Sequence, residues 1–428
     1  MVQDLQLRTD NVKFRKEKYY SPSTGKTYLA PLPTGYGGEY GPNLKTYCLL
    51  LAHLGKVTEP KIADLLANLG VVISSGQISR WLGQGQERLQ EEKEAIVEAG
   101  LASSPWQQLD DTGTRVEGKN QHCHVLCNPL YTAYSTTARK DRMTVIDVLR
   151  NHRERIFRLH EEAYELLRQF GVSPRVIEGV RQLPSEQDWT EGELNRHLTE
   201  QLGDLGEVAR DRILEAAAIA AYHAETEHPV VRLLVCDDAQ QFKRVTEELA
   251  LCWIHDGRHY PSLEPWVGVH RQELEAFRKK YGDYYRQLRA YARAPTPERA
   301  VELRQQFEEL FSTVTGYEAW DQRIAKSREN QESLLKVLEH PEIPLHNNAA
   351  ELAVRLRVRK RVVSYGPRSE RGAKAWDTME TLLGTAKKLG VNFFHYLRDR
   401  VSGAQQMASL AELIQEKAKT LDLGISWK

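Results

Sequence analysis

The spacing of apolar positions changes twice along this chain, and the changes divide it. From about residue 43 to 95 the apolar residues recur at helical intervals. NLKTYCLLLAHLG predicts one helix stopping at Gly55, and KIADLLANLG, opened by Thr58 and Pro60, predicts a second stopping at Gly70. After Ser74 and Ser75, GQISRWLGQG predicts a third, with Ile78, Trp81 and Leu82 inward and Gln77, Ser79, Arg80 and Gln84 outward. Two short helices, a glycine-containing turn and a third helix with a polar front suit a helix-turn-helix that meets DNA. An ordinary three-helix packing unit fits the same pattern. Residues 86–100 continue as a charged connecting helix.

Near residue 105 the period falls from 3.6 to two. WQQLDDTGTRV, QHCHVLCN and LYTAYSTT predict three consecutive strands with turns at Gly118 and Pro129, and DRMTVIDVLR returns to helix. Residues 150–228 are helical and charged, ending in the alanine-rich ILEAAAIAAYHAE. VVRLLVCDD is apolar throughout, as a buried strand is, and ends in Asp237 and Asp238. A helix is expected over 239–249, then ALCWIHDGRHY as a short strand running into a turn, then helices over 262–340. In HNNAAELAVRLRVRKR, from His346 to Arg361, Asn348 reads as the N-cap of a helix with Glu351 in its first turn. Arg355 and Arg359 follow Glu351 at four-residue steps and share its face. A capping box with an ion-pair ladder explains that face; so does a metal ligand followed by phosphate-binding arginines.

Three strands, a helix, a strand ending in carboxylates, another strand and a carboxylate on a late helix suit an α/β fold of a particular kind. It is an RNase H-like mixed-sheet core with large all-helical insertions, preceded by the helix-turn-helix. The domains read as a basic, turn-rich arm (1–42), the helix-turn-helix (43–95), the core (105–400) with insertions at about 150–228 and 262–340, and a helical tail (401–428). In such a core the first and fourth strands are neighbours, which brings Asp110 and Asp237 together with Glu351 nearby. Three hard oxygen donors can hold two Mg²⁺ or Mn²⁺ ions about 3.5–4 Å apart. One ion would activate a water or 3′-hydroxyl, and the other would stabilise the leaving oxygen. Each acid also has a plainer reading: Asp110 and Asp111 as turn formers before Thr-Gly, Asp237 and Asp238 as caps of the next helix.

Composition adjusts this picture in a few places. Lys plus Arg and Asp plus Glu both number 59 in 428 residues, so any DNA-binding surface must be local. After Glu351 the chain carries Arg355, Arg357, Arg359, Lys360, Arg361, Arg368, Arg371 and Lys374 against one acid, Glu370, which supplies such a surface. Five cysteines, an odd number, argue for a reducing cytoplasm rather than a disulfide framework. No apolar run suits a membrane span, and MVQDLQLRTDNVKF lacks the apolar core of a signal peptide. SPSTGK resembles a hairpin turn; its GKT is no phosphate loop, because Tyr20 stands where that loop needs glycine. Cys252 and His255 are only two zinc ligands. On a strand His122 and His124 point away from Cys123 and Cys127, so those four cannot close on one ion.

DDTG at 110–113, CWIH at 252–255 and NNAAE at 347–351 resemble the motifs of the insertion-sequence sixty-six family of bacterial transposases. YGPNLK before the first helix and SYGPRSERGAKAWDTMETLLGTAKKLGVN near the C-terminus are similar to that family as well, so the likeness spans roughly residues 35–400. It implies an RNase H-like nuclease with an Asp-Asp-Glu triad: Asp110, Asp237 and Glu351. It also implies Mg²⁺ or Mn²⁺ as cofactor and metal-dependent cleavage and strand transfer of double-stranded DNA at element ends and target. The partners implied are a homo-oligomer that synapses two ends, together with any accessory proteins, at the nucleoid in the bacterial cytoplasm. Cys252 and His255 would lie beside the active site, with His255 on the scissile phosphate or orienting Asp237.

Three departures from the family pattern stand out. Asp111 replaces the usual glutamate of DETG. Asp237-Asp238-Ala239 replaces aspartate-glycine-aromatic, which leaves Asp237 and Asp238 both open as second acid. Residues 1–40 hold no cysteine, where many relatives carry a zinc module. A domesticated or inactive DNA-binding relative, and a structure-specific nuclease of the same fold, are the alternative functions.

Overall fold

The computed structural model describes all residues except 5, 37, 85, 86, 204, 422 and 425–428. The ends of the third and connecting helices at Gly85 and Gln86, and parts of the arm, the first insertion and the tail, thus lie outside the described residues. The SPSTGK turn joins β1 (Lys18–Ser21) to β2 (Lys26–Leu29) as an antiparallel hairpin. Helices α1 (Pro42–His53), α2 (Glu59–Asn68) and α3 (Ser75–Gly83) pack around Cys48, Ile62, Leu66 and Ile78. The Ser74 hydroxyl accepts from Gln77 N and fixes the start of α3. Helix α4 (Glu87–Ala102) then leads into the sheet.

Strands β3 (Trp106–Val116), β4 (Lys119–Cys127) and β5 (Thr132–Thr137) form an antiparallel meander where the period-two pattern predicts it. Helix α5 (Arg142–Leu149) follows, capped by Asp141. The next region is helical, as the charge pattern suggests, but includes a two-stranded ladder of β6 (Phe157–Arg158) with β7 (Asp188–Trp189). Its helices are α6 (Glu161–Gln169), α7 (Pro174–Arg181), α8 (Glu191–Leu202) and the alanine-rich α9 (Glu207–His223). The sheet resumes with β8 (Leu233–Cys236), parallel to β3, and β9 (Glu248–Leu251), parallel to β8. The five-stranded sheet therefore has the order β5–β4–β3–β8–β9, with β4 alone antiparallel to both its neighbours.

The helix expected over 239–249 does not form. Gln240–Phe242 makes a single 3₁₀ turn, Arg244 takes a left-handed φ of +65°, and the chain then extends into β9. Phe242 and Val245 are buried in the core, so tertiary burial overrides the local helical preference of this segment. Conversely, the turn expected after β9 is a helix, α10 (Trp253–Arg258).

The sheet is covered on both faces. Leu234 and Cys236 point into a core shared with α4, α5, α9 and α16, whereas Leu233 and Val235 point the other way, as strand alternation requires. That second face meets Trp106 and an all-helical layer of α11 (Gly268–Tyr291), α12 (Pro297–Phe311), α13 (Glu318–Glu329) and α14 (Gln331–Leu334). Helix α15 (Asn348–Ser364) lies over β3 and β4, where Ala353 and Val354 touch Cys123, Val125 and Tyr134. The chain closes with α16 (Glu370–Leu389), α17 (Phe393–Ser402) and α18 (Leu410–Ala418).

Helix α16 also seals the open edge of β5. Asp377 Oδ2, Thr381 Oγ1 and Thr385 Oγ1 accept from the backbone N–H groups of Thr136 (2.7 Å), Tyr134 (3.0 Å) and Thr132 (3.2 Å). Four residues of helix rise about 6 Å, and alternate strand N–H groups lie about 6.7 Å apart, so the two ladders match. Three side chains thereby satisfy donors that an exposed edge would leave unpaired. Among the described residues no helix is long and apolar enough to cross a membrane.

Candidate active site

The parallel ladder between β3 and β8 pairs Gln107 with Leu234 and Gln108 with Val235, then stops. Two further residues along each strand reach Asp110 and Asp237. Strand β3 runs on past Asp110 to Val116 against β4, and Asp110 lies just beyond the level where the pairing with β8 stops. Alternation puts Asp110 on the face of Trp106 and Gln108, and carried one residue past Cys236, where β8 ends, it puts Asp237 on the face of Leu233 and Val235, which is one and the same face.

The neighbouring acids have other partners. Asp111 accepts from Gln241 Nε2 (2.7 Å) and pairs with Lys140 (3.5 Å). Asp238 pairs with Lys243 (2.7 Å) and Lys326 (3.7 Å) and accepts from Asn330 Nδ2 (3.1 Å), which together hold its carboxyl below the usual carboxylate range against the opposing effect of burial. Asp110 and Asp237, by contrast, have no ion-pair partner within 4 Å among the described residues. The Asp110 carboxyl is pushed up to about 7, chiefly by burial and further by the charges of Asp237, Asp111 and Glu351, while the Asp111 N–H donated to its Oδ1 (2.8 Å) opposes the rise. Asp237 is raised by burial too, with the Ala239 N–H and His255 pulling the other way.

Glu351 enters from α15, whose start is bracketed to the sheet. The residue before the helix is Asn347, not Asn348, and it makes no side-chain cap. Its Nδ2 instead donates to Leu109 O (2.7 Å), next to Asp110, while Gln108 Nε2 donates to His346 O (2.9 Å). The Asn347 N–H donates to Cys252 Sγ (3.2 Å), so one residue ties α15 to β3 and to the end of β9. Helix α10 is anchored from its other side: the buried Trp253 donates Nε1–H to Leu334 O (2.7 Å), and the buried Asp256 accepts from Ser327 and Arg323. This anchoring presents His255 and Arg258, one turn apart, to Glu351.

Glu351 Oε1 lies 3.3 Å from His255 Nδ1 and 3.9 Å from the Cys252 thiol, and Arg258 donates to Oε2 at 2.8 Å. Cys252, His255 and Glu351 bring one donor atom each within 4.8 Å of one another. Asp110, Asp237 and Glu351 form no such set of three among the described residues; Glu351 is near enough to act on Asp110 electrostatically but turns toward α10. Nor, among the described residues, do His122, Cys123, His124 and Cys127 gather, consistent with their opposed faces on β4. Arg258 is a site residue that sequence spacing misses, because 252–260 reads as a turn; on a helix, its i+3 spacing from His255 marks it.

The basic stretch divides. Arg355, Arg359, Arg368 and Arg371 are exposed, whereas Arg361 is half-buried and donates to Gly113 O in the β3–β4 hairpin. Lys360, expected on a DNA surface, is buried: its ammonium sits 4.1 Å above the Trp376 ring and donates to His53 Nδ1 (2.7 Å). Burial lowers it to about 8 even with Glu380 3.6 Å away. Arg357, on the same stripe, is buried between Asp377 and Glu380, with Nη2 donating to Thr136 Oγ1 (2.8 Å). Through His53, and through Lys56 Nζ donating to Leu356 O (2.7 Å), α15 also holds the α1–α3 unit. A groove of about 660 Å³ runs along this junction, lined by Lys56, Ser79, Arg80, Gln84, Arg368 and Arg371 among others. Gln77 does not line this groove; it is half-buried and accepts from Arg80 (3.2 Å).

The architecture is thus a mixed α/β protein with acidic residues at the end of a parallel strand pair and a basic groove at the far end of α15. Residues 37–165 and 211–375 match the model of the Transposase IS66 family. The chain is also 34% identical over 326 residues to an uncharacterized protein, y4jO, of Sinorhizobium fredii (strain NBRC 101917 / NGR234), a match covering 76% of this chain and 100% of that protein. This chain belongs to the IS66 transposase family. The stretch between the two matched segments contains α7, β7 and α8, while most of α9 falls within the second.

Proposed function

We propose that this protein is a DNA transposase with an RNase H-like core, which cleaves and joins DNA at element ends using Asp110, Asp237 and Glu351. The observation that supports this reading is the register of β3 and β8: continued two residues past Gln108 and Val235, it brings Asp110 level with Asp237 on the face that α15 crosses. The sheet order, with the second strand of the core antiparallel to its neighbours, supports the RNase H-like reading. The donor set fits divalent magnesium or manganese, because the carboxylates are hard oxygen ligands and, among the described residues, no lysine or arginine lies within ion-pair distance of Asp110 or Asp237. Bound there, two such ions would acidify an attacking water or 3′-hydroxyl and stabilise the leaving oxygen.

The chain's own residues do the rest. The Asp111 N–H and the Ala239 N–H each hold one oxygen of Asp110 and Asp237, which fixes the direction of the other. Asn347 sets the height of α15 over β3, and His255 and Arg258 steady Glu351 from the side. A rotation of the Glu351 side chain toward Asp110 completes the triad and frees Arg258, half exposed at the cleft, for a phosphate oxygen.

Helices α1–α3 act as the helix-turn-helix, and the groove between α3 and the end of α15 takes the DNA backbone. Ser79, Arg80, Gln84, Arg368 and Arg371, drawn from two distant parts of the sequence, line that one groove. From Glu351 to the left-handed Tyr365 that ends α15 is about 21 Å along the helix, or about six base pairs of B-form DNA. Backbone contacts in the groove accordingly fall about six base pairs from the scissile phosphate. The test is Mg²⁺-dependent nicking of a duplex carrying the element end. Glu351→Gln is expected to bind the end and not to cut it; a mutant that still nicks in Mg²⁺ removes Glu351 from the reaction. Cleavage with no transfer into a target plasmid would make the protein a nuclease of this fold instead.

A further inference from the structure

We propose that Cys252, His255 and Glu351 form a second metal site, selective for a thiophilic ion of the zinc type, which shares Glu351 with the carboxylate centre. Tetrahedral Zn²⁺ has bonds of about 2.3 Å to sulfur and about 2.0–2.2 Å to nitrogen and oxygen, so its ligand atoms stand about 3.6 Å apart for sulfur–oxygen and about 3.4 Å for nitrogen–oxygen. The corresponding separations here are 3.9 Å from Cys252 Sγ to Glu351 Oε1 and 3.3 Å from His255 Nδ1 to the same oxygen. Three donors, two from the start of α10 and one from α15, thus lie within 4.8 Å of one another, with the two edges to Glu351 close to those of a tetrahedron. CWIH supplies two ligands, too few for a site; the fold supplies the third.

Surrounding groups hold these donors in place. The Asn347 N–H on Cys252 Sγ orients the sulfur, and Arg258 on Oε2 leaves Oε1 as the oxygen that faces the set. His255 Nδ1 is buried without an aligned hydrogen bond, although it is an ion-pair distance from Glu351. Trp253, locked by its bond to Leu334, keeps α10 from turning away. A thiolate ligand selects against Mg²⁺ and Mn²⁺ and for Zn²⁺. Binding is a simple exchange: the Cys252 thiol loses its proton to solvent, the neutral imidazole gives its Nδ1 lone pair, and the carboxylate gives Oε1, leaving the fourth position for water or a phosphate oxygen. No redox step is involved.

The consequence for the reaction rests on the transposase reading. An ion held through Glu351 Oε1 keeps Glu351 on the α10 side of the cleft, so Zn²⁺ opposes Mg²⁺-dependent cleavage. The binding itself does not depend on that reading and is tested separately, with Co²⁺ as a spectroscopic stand-in for Zn²⁺ on the full-length chain. The expected result is one Co²⁺ per chain with the strong visible bands of tetrahedral coordination and a near-ultraviolet sulfur-to-cobalt band, both abolished by Zn²⁺. Cys252→Ser should lose the near-ultraviolet band while keeping the wild-type circular dichroism and melting temperature. His255→Gln should weaken Co²⁺ binding by about 10- to 100-fold. The other four cysteines are buried, and Cys236, the strand neighbour of Cys252, points into the opposite core, so a sulfur band that survives Cys252→Ser overturns the site, as does the absence of any such band in the wild-type chain. A chain that shows the band but cuts no element end retains the site and loses the transposase reading. One that cuts in Mg²⁺, shows no band and is indifferent to Zn²⁺ does the reverse.

Discussion

Asp110 and Asp111 are adjacent on one strand, Asp237 and Asp238 are adjacent at the end of its neighbour, and the two members of each pair meet opposite surroundings. Asp111 and Asp238 are compensated by Lys140, Gln241, Lys243, Lys326 and Asn330. Asp110 and Asp237 are half-buried and near enough for the charge of one to act on the other, with no cation within 4 Å among the described residues. The same division recurs on α15, where Arg357 and Lys360 are buried against acids and an indole while Arg355 and Arg359 stand in solvent. A compensated charge holds the fold together. An uncompensated one, in a cleft or along a groove, is available to a ligand, and its desolvation is a standing cost that the ligand would relieve.

The largest expected effect separates Asp110 from Asp111. Asp110→Asn should lower Mg²⁺-dependent nicking by about 10³-fold or more and leave end binding intact, whereas Asp111→Asn should keep most of the rate. Comparable losses in single-turnover assays of both variants would erase the distinction. Next comes the buried brace. Arg357→Met strands Asp377 and Glu380 and should destabilise the chain by about 3–5 kcal/mol in urea unfolding, while Arg355→Met should change stability by no more than about 0.5 kcal/mol. Equal effects would mean that Arg357 is not the brace the geometry indicates.

Smaller effects concern the groove. Arg368→Ala and Arg371→Ala should each reduce the slope of log affinity against log salt by about one, and Lys360→Met should leave that slope unchanged if the chain remains folded. Backbone protection about six base pairs from the cut should weaken in the two arginine variants; protection that is unaltered removes the groove from the DNA path. The smallest effect is a pH dependence. Burial first, then the charges of Lys360 and Arg357, hold His53 well below its ordinary value of 6.5. Once unfolded, His53 takes up a proton near pH 6.5 that it refuses when docked. Its contribution is therefore complete above pH 6.5 and is lost as pH falls, by at most about 1.4 kcal/mol per pH unit. His53→Gln should flatten the fall in stability between pH 6.5 and 5; an unchanged slope would show that His53 titrates freely.

Much of this division is legible in residue spacing alone. Period-two alternation locates β3, β4 and β5, and the apolar run leading to Asp237 locates β8, because burial on both faces leaves little room for any other pattern. Alternation by itself also sends Asp110 and Asp111 to opposite faces of β3. Alternation carried one residue past Cys236, where the strand ends, favours Asp237, but the compensation of Asp238 is less legible, because it depends on Lys243 in the following loop and on Lys326 and Asn330 far away in sequence. The stretch 239–249 misleads because its residues favour a helix in isolation, while Phe242 and Val245 are drawn into the core and Arg244 turns the chain. Lys360 misleads when charge is counted without phase. Ala350, Ala353, Arg357 and Lys360 follow one helical stripe, so the two cations continue the inward face that the alanines begin. Asn347 is not legible as a bracket because its partner, Leu109 O, is a backbone atom that carries no sequence signal.

The most direct test of the central claim substitutes the two adjacent acids at the end of β8 one at a time and measures Mg²⁺-dependent cleavage of the element end. Asp237→Asn is expected to bind the end without cutting it, and Asp238→Asn to cut it at a rate near that of the unmodified chain. Cleavage by Asp237→Asn together with loss of cleavage in a folded Asp238→Asn would contradict the account.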